Sequence, residues 1–286
     1  VEVTDAQKAI RRLKELPTLP AVLTRILHLA SDPESSALDL AKEIAADQSL
    51  AARLLRLVNS AFYGFHRQVD SVSQAVVILG YAEVRDLVLA ASAFDALPKT
   101  SSNFDRDQLW RHAIACGMAS ERIARSMGWA TTGGYYCAGL LHDIGKVAFD
   151  VIYPREYAQL VRRAQEQKCP VRDIEREVFG FDHAYAGAQL AAHWDMPDPI
   201  IQAIQYHHDP VKCRRQKSMA PVIALADYIT YEIGLGETSN GLPIAEHAAL
   251  DPQFQLDSSK YQSVIQKMEG ARNGIHSLTG ILDQSV

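Results

Sequence analysis

Apolar residues in the first hundred positions recur at spacings of three and four, interrupted by proline, glycine or short polar side chains. That is the period of amphipathic helices, and no segment alternates at period two as a half-buried strand would. Leu16-Pro17-Thr18-Leu19-Pro20 reads as extended, because each proline biases its predecessor away from the helical region. Pro20 suits the first position of a helix carrying Val22, Leu23, Ile26, Leu27 and Ala30 on one face, stopped by Ser31-Asp32-Pro33. Ser36 to Ala46 is a second helix, with Leu40 or Ala41, Ile44 and Ala45 inward. A turn at Asp47-Gln48-Ser49 leads to a third, marked by Leu50, Leu54, Leu57 and Val58 and ending near Gly64. Ser71 or Ser73 caps a fourth that stops at Gly80, and Val84, Leu87, Val88 and Ala91 mark a fifth that finishes before Pro98.

The polar segment from Lys99 to Phe104 predicts a linker between two helical lobes. Beyond it, Gln108 to Met127 reads as a helix holding Trp110 and His112. Gly133-Gly134 breaks the chain before Tyr135 to Phe149, which reads as one helix. Pro154 opens a helix with Tyr157, Leu160, Val161 and Ala164 inward, and Asp173 to Val178 forms another that closes at Gly180. Asp182 caps a helix carrying His183, Ala186, Leu190 and His193. Pro199 starts one that ends at His207-His208-Asp209-Pro210, and Pro221 starts one with Ile223, Ala226, Asp227 and Ile229. Residues 234–252 contain Gly and Pro and read as loop. Val264, Met268, Ala271, Ile275, Leu278 and Leu282 then form one stripe, weakened by Gly270 and Gly274. It is too short for a coiled coil and is expected to pack on the body. The expected fold is all-α, with helical lobes at 1–100 and 101–235 and a loop and C-terminal helix at 236–286.

Composition narrows the class. At 286 residues, 48% hydrophobic and 22% charged, the chain has the make-up of a soluble globular protein. A net charge of −5 argues against a dedicated nucleic-acid binder. The second and third helices could form a helix-turn-helix, but only Lys42, Arg53, Arg56 and Arg67 are at hand for phosphates. Plain helical packing is the better reading. Cys116, Cys137, Cys169 and Cys213 are scattered and read as reduced thiols of a cytoplasmic protein. No apolar run approaches the roughly 20 residues that span a bilayer. Val1 opens the chain without a signal-peptide pattern or an initiating Met, as a trimmed start would.

One stretch conflicts with a simple apolar core: Leu140-Leu141-His142-Asp143-Ile144-Gly145-Lys146. Burying two adjacent ionisable groups costs on the order of several kcal/mol unless something compensates. A metal ion is the common compensation for His beside Asp. Lys146 follows Asp143 at i+3 and suits an anion beside that cation. Six of the ten histidines fall between His112 and His208. Of the chemistry-bearing residues, His112, His142-Asp143, His183, His207-His208 and Asp227 fall on different predicted helices or at their ends. Neutral imidazoles with a few carboxylates suit Fe, Mn, Ni or Zn better than Ca.

That order of residues resembles the HD metal-dependent phosphohydrolase superfamily. Leu16-Pro17-Thr18-Leu19-Pro20, Asp47-Gln48-Ser49-Leu50-Ala51, Leu55 to Ser60, Ser73 to Gly80, Trp110-Arg111-His112 and Leu140 to Lys146 together resemble the HDOD domain. The likeness spans roughly residues 10–235. It implies a bacterial helical domain of signalling proteins, acting as an output or scaffold module through a protein partner. By the family pattern His112, His142, Asp143 and Asp227 would hold one metal. Asp143 would bridge to a second, held by His183, His207 and His208. The related HD-GYP enzymes, which cleave cyclic di-GMP, carry Gly-Tyr-Pro after their paired histidines. This chain has Asp209-Pro210-Val211-Lys212 there, so that substrate is not implied. Three-metal variants place Glu one turn before the first His; Gln108 stands there, so one or two divalent ions are expected.

Two functions follow from these residues. In a signalling scaffold the metal is retained for folding. In a phosphohydrolase Asp143 and Lys146 are catalytic, the lysine neutralising an oxygen of a phosphoester ligand held by the metals. Neither reading calls for a nucleic acid or a membrane. His28, His66, His193, His247 and His276 fit neither pattern and read as structural or surface residues.

Overall fold

Short polar side chains set many of the helix starts. Side chains of Ser36, Asp47, Ser71, Asp105 and Asp182 each accept a backbone N–H three residues on, satisfying a donor the helix leaves orphaned. At Ser36 the cap is reciprocal, with Asp39 receiving the Ser36 N–H at 3.1 Å. The computed structural model describes residues 6–235 and 258–283, apart from 33, 61, 62, 64, 66, 99, 101–103, 130–133 and 214–218. Among these residues there are helices and turns and no strand.

The helices of the first part are α1 (Ala6–Leu13), α2 (Ala21–Ser31), α3 (Ala37–Ala45), α4 (Gln48–Val58), α5 (Val72–Leu79) and α6 (Tyr81–Ala96). Those of the second are α7 (Arg106–Ser126), α8 (Gly134–Leu141), α9 (Ile144–Ile152), α10 (Pro154–Gln167), α11 (Val171–Phe179), α12 (His183–His193), α13 (Asp198–Tyr206) and α14 (Ala220–Glu232). Helix α15 (Ser258–Asp283) closes the chain.

Helices α2 to α6 pack on one another. Helix α7 runs against α8, α14 and α15, while α12 packs on α9 and α13, so α7 and α12 are the two struts of the second group. Helix α6 meets α8, and a single apolar core runs through both groups. Thr100 and Arg106 both donate to the buried Asp150 near the end of α9, and Arg106 also reaches the Pro98 carbonyl.

Three sequence expectations change. Helix α1 had no counterpart in the pattern; Ala9 and Leu13 are buried, and the helix packs on α9 and α12. The third predicted helix ends at Val58, where the Asn59 side chain bonds the Leu55 and Val69 carbonyls and turns the chain; Gly64 lies outside the described residues. The predicted helix from Tyr135 to Phe149 is two helices, broken at His142-Asp143. Helix α15 buries Val264, Met268 and Ile275 against the body; the side chains of Leu278 and Leu282 lie outside the description. Helices α3 and α4 pack on α5 and α6, with Arg53 buried. No described helix is long and apolar enough to cross a membrane.

Candidate metal centre

Glycines on either side of the break between α8 and α9 sit against neighbouring backbone. A Cβ on Gly145 would stand 2.0 Å from the His183 carbonyl oxygen, and one on Gly139 2.8 Å from the Cys116 carbonyl oxygen. These two glycines let α9 touch α12 and α8 touch α7 at backbone distance. The intervening residues, His142 and Asp143, are thereby placed between the two struts. His112 projects from α7, His183 is the first residue of α12, His207 and His208 follow α13, and Asp227 sits on α14.

Asp143 is the hub. Its Oδ2 lies 3.3 Å from His142 Nε2 and 3.8 Å from His112 Nε2. Its Oδ1 lies 3.1 Å from His183 Nε2 and 3.7 Å from His207 Nε2. His112 Nε2 is 3.1 Å from Asp227 Oδ1, and His208 Nε2 is 2.8 Å from His183 Nε2. The candidate ligand atoms thus form two groups, His112-His142-Asp143 and Asp143-His183-His207-His208, each with all its atoms within 4.8 Å of one another. Asp143 belongs to both.

The outer nitrogens fix the tautomers. His142 Nδ1 donates to the Gly139 carbonyl (2.6 Å) and His207 Nδ1 to the Ile204 carbonyl (2.7 Å). His183 Nδ1 donates to Glu175 (2.6 Å), which also receives the His183 backbone N–H and the Tyr157 hydroxyl. Thr230 spends its own proton on the Asp227 carbonyl, leaving its oxygen to accept from His112 Nδ1 at 3.3 Å. With the proton kept on Nδ1, the neutral form of each of these rings, the form a metal requires, turns an Nε2 lone pair inward. His112 and His142 then face each other at 3.3 Å acceptor to acceptor, and Asp143 Oδ1 and His207 Nε2 are buried with no hydrogen-bond partner. Lone pairs converging from two sides call for a cation. The donor chemistry fits one or two divalent transition metals.

The charge state of each group is set by its neighbours. Burial works against a charge on His142, yet the Asp143 carboxylate outweighs it and holds the imidazole well above its ordinary range. Burial likewise opposes charge on His183, but Glu175 and Asp143 raise it to about 9. Burial, with His142 and His183 beside it, pushes His207 down to about 3, and burial, with His207 and His183 beside it, depresses His208. Against the burial penalty, the neighbouring histidines hold Asp143 well below the carboxylate range, and His112 holds Asp227 at about 2. Protons on His142 and His183 therefore stand where a metal cation would neutralise the carboxylates.

All seven sequence-predicted metal residues meet here. Lys146 is fully buried with its Nζ 2.8 Å from Asp143 Oδ2, so its ammonium is held by the hub carboxylate itself. Glu175 and Thr230 were not anticipated. Glu175 is one acid among several in Val171 to Phe179, and only its zero exposure sets it apart. Of the remaining histidines, His28 and His276 are exposed and His193 half-buried; His66 and His247 lie outside the described residues.

The helical bundle thus holds a buried His/Asp centre at a helix break. The HDOD domain family model matches residues 16–210, and the chain belongs to that family. It is 31% identical over 229 residues to an uncharacterized protein of Treponema pallidum (strain Nichols), spanning 79% of this chain and 44% of that one. The chain thus covers less than half the length of that relative. Among solved structures, a protein of Marinobacter aquaeolei VT8 provisionally assigned to signal transduction superposes with TM-score 0.81 at 26% identity, covering 97% of this chain and 65% of that one. A protein of Shewanella amazonensis SB2B provisionally assigned as a phosphohydrolase superposes with TM-score 0.77 at 23% identity, covering 96% and 97%. The second likeness speaks to the fold alone.

Proposed function

We propose that this chain is a signalling module whose His/Asp centre holds one or two divalent transition metals as part of the fold, and that it acts through a protein partner in the cytoplasm. Burial carries this reading: His112, His142, Asp143, His183 and His207 are each at most 2% exposed. Ligands so enclosed cannot be satisfied by water, so the metal does for this core what hydrophobic packing does elsewhere. Only His208 and Asp227 reach toward the surface. The likeness to the Marinobacter protein supports a signalling role, and the buried free thiols of Cys116 and Cys137 suit a reducing compartment.

A second reading, phosphoester hydrolysis, has one observation in its favour. The two oxygens of Asp143 face separate histidine groups, the arrangement that lets one carboxylate bridge two ions. A bound metal pair would supply an acidified water and a clamp for a phosphoryl group. His208 and Asp227 would border the approach, and Lys146 would hold Asp143 in its bridging orientation. Metal analysis of the purified protein, followed by a phosphatase and phosphodiesterase panel with added Mn or Fe, separates the readings. Bound metal without turnover supports the signalling module. Turnover that vanishes in Asp143→Ala supports the hydrolase. Protein without metal after loading refutes both.

A further inference from the structure

The last turn of α14 is gripped by a helix distant in the chain. Glu232 closes α14, and Ile233 follows it as the cap. A helix leaves its final carbonyls without internal partners. Here the Ile233 carbonyl accepts from Arg272 Nη2, and Glu232 Oε2 accepts from the Tyr261 hydroxyl. Both donors belong to α15, 39 and 29 positions further on. The guanidinium also brings a positive charge to the negative end of α14. That same turn aims a candidate metal ligand. The Thr230 hydroxyl accepts from His112 Nδ1, and the Thr230 carbonyl receives the Leu235 N–H that closes the turn. Asp227, one turn earlier, meets His112 Nε2 at 3.1 Å.

The other end of the grip is α7. Helix α15 lies along α7 and also meets α4 and α6. Val264, Met268 and Ile275 are buried against the body, and Arg122 of α7 donates to the Met268 sulfur at 3.4 Å. Helix α15 therefore ties the end of α14 to α7, the two helices across which His112 faces Asp227 and Thr230. The geometry points to α15 as a strap: docked, it holds the last turn of α14 against α7 and so sets how firmly the His112–Asp227 pair holds a metal. This inference rests on the metal centre proposed above. Sulfur is a weak acceptor for a guanidinium, and a Cβ on Gly270 would meet nothing within 4 Å, so the contact is loose enough to open. His183, His207 and His208 come from α12 and the end of α13, which are not among the helices that α15 chiefly packs on. Release of α15 thus loosens the His112–Asp227 half of the centre first. Such a coupling is reciprocal: if docking of α15 strengthens metal binding, metal strengthens the docking of α15 by the same factor.

Hydrogen exchange read by mass spectrometry on the intact chain, EDTA-treated and then loaded with Mn or Zn, tests this without any substitution. Exchange in α15 and in the last turn of α14 is expected to slow on loading by at least about fivefold, the low end of typical couplings between sites. Tyr261→Phe combined with Arg272→Ala cuts both polar anchors and touches no candidate ligand. Its affinity for Mn, by competition against a fluorescent chelator, should fall by about fivefold or more. Leu40→Ala controls for general loss of stability: it opens a cavity in α3, which packs among α2, α4, α5 and α6, so Tm should fall while affinity holds. Exchange in α15 that ignores bound metal overturns the strap. So does undiminished affinity in the double variant, or an equal loss in Leu40→Ala. A wild-type chain that takes up no metal overturns the metal centre itself, and the strap with it.

Discussion

Glu175 shows how much of the centre is decided by a residue that touches no metal in either reading. It accepts three hydrogen bonds, from His183 Nδ1, the His183 backbone and Tyr157, and it is wholly buried. The first of these fixes the proton on Nδ1 and aims Nε2 at Asp143. Partners of this kind are worth roughly 10–100-fold in metal affinity when removed. Glu175→Ala is accordingly expected to weaken Mn or Zn binding by about that factor while leaving every candidate ligand in place, as read by competition against a fluorescent chelator. Unchanged affinity would mean that His183 is oriented by its helix alone. The residue was not legible in the sequence because Val171 to Phe179 holds Asp173, Glu175 and Glu177 in one short helix, and its role appears only when α11 meets α12. The ligands were legible for the opposite reason. His142-Asp143 sits in an apolar run where two ionisable groups demand an explanation, whatever the tertiary structure.

At the scale of elements, the helices were visible in the hydrophobic period and their junctions were not. Leu140, Leu141, Ile144, Val147 and Ala148 keep helical spacing straight through His142-Asp143, so the break between α8 and α9 leaves no trace in the pattern. The tertiary contact just beyond it, at Gly145, leaves none either. A side chain there would strike backbone atoms, the His183 carbonyl at 2.0 Å and the Gly187 nitrogen at 2.7 Å, and backbone cannot rotate aside. Helix α1 was missed because its eight residues carry only two buried apolar side chains, too few for a stripe. Gly145→Ala should force α9 off α12 and cost about 1–3 kcal/mol by overpacking. For a chain of this size that is a fall in Tm of roughly 2–4 °C per kcal/mol. Gly270→Ala in α15 is the control: a Cβ there meets nothing within 4 Å, and helix propensity should stabilise it by up to about 1 kcal/mol. Equal effects at the two glycines would show that helix propensity, not the α9–α12 contact, governs Gly145.

For the molecule as a whole, the centre makes stability a function of pH in a way that depends on metal. Without metal, His183 binds its proton up to about pH 9 in the folded chain but only to its ordinary value of 6.5 when unfolded, and His142 is shifted in the same direction. A raised histidine contributes fully below 6.5, and the contribution is lost as pH rises through about 9. His207 has the reverse shift, to about 3, and His208 follows it; as pH falls below 6.5 the unfolded chain takes up protons that the folded chain refuses. Metal-free protein should therefore be most stable near pH 6.5 and weaken on either side. Metal adds a pH dependence of its own. The ion needs neutral imidazoles, so binding expels the protons on His142 and His183, and affinity rises with pH up to about 9. The separation in Tm between metal-loaded and EDTA-treated protein should then widen steadily from pH 6.5 to 9, with protons released on loading. Scanning calorimetry across that range, and loading titrations in buffers of different ionisation enthalpy, read both effects. A separation that stays constant with pH would mean that His142 and His183 are neutral before the metal arrives, and that lone pairs alone face one another in the metal-free core.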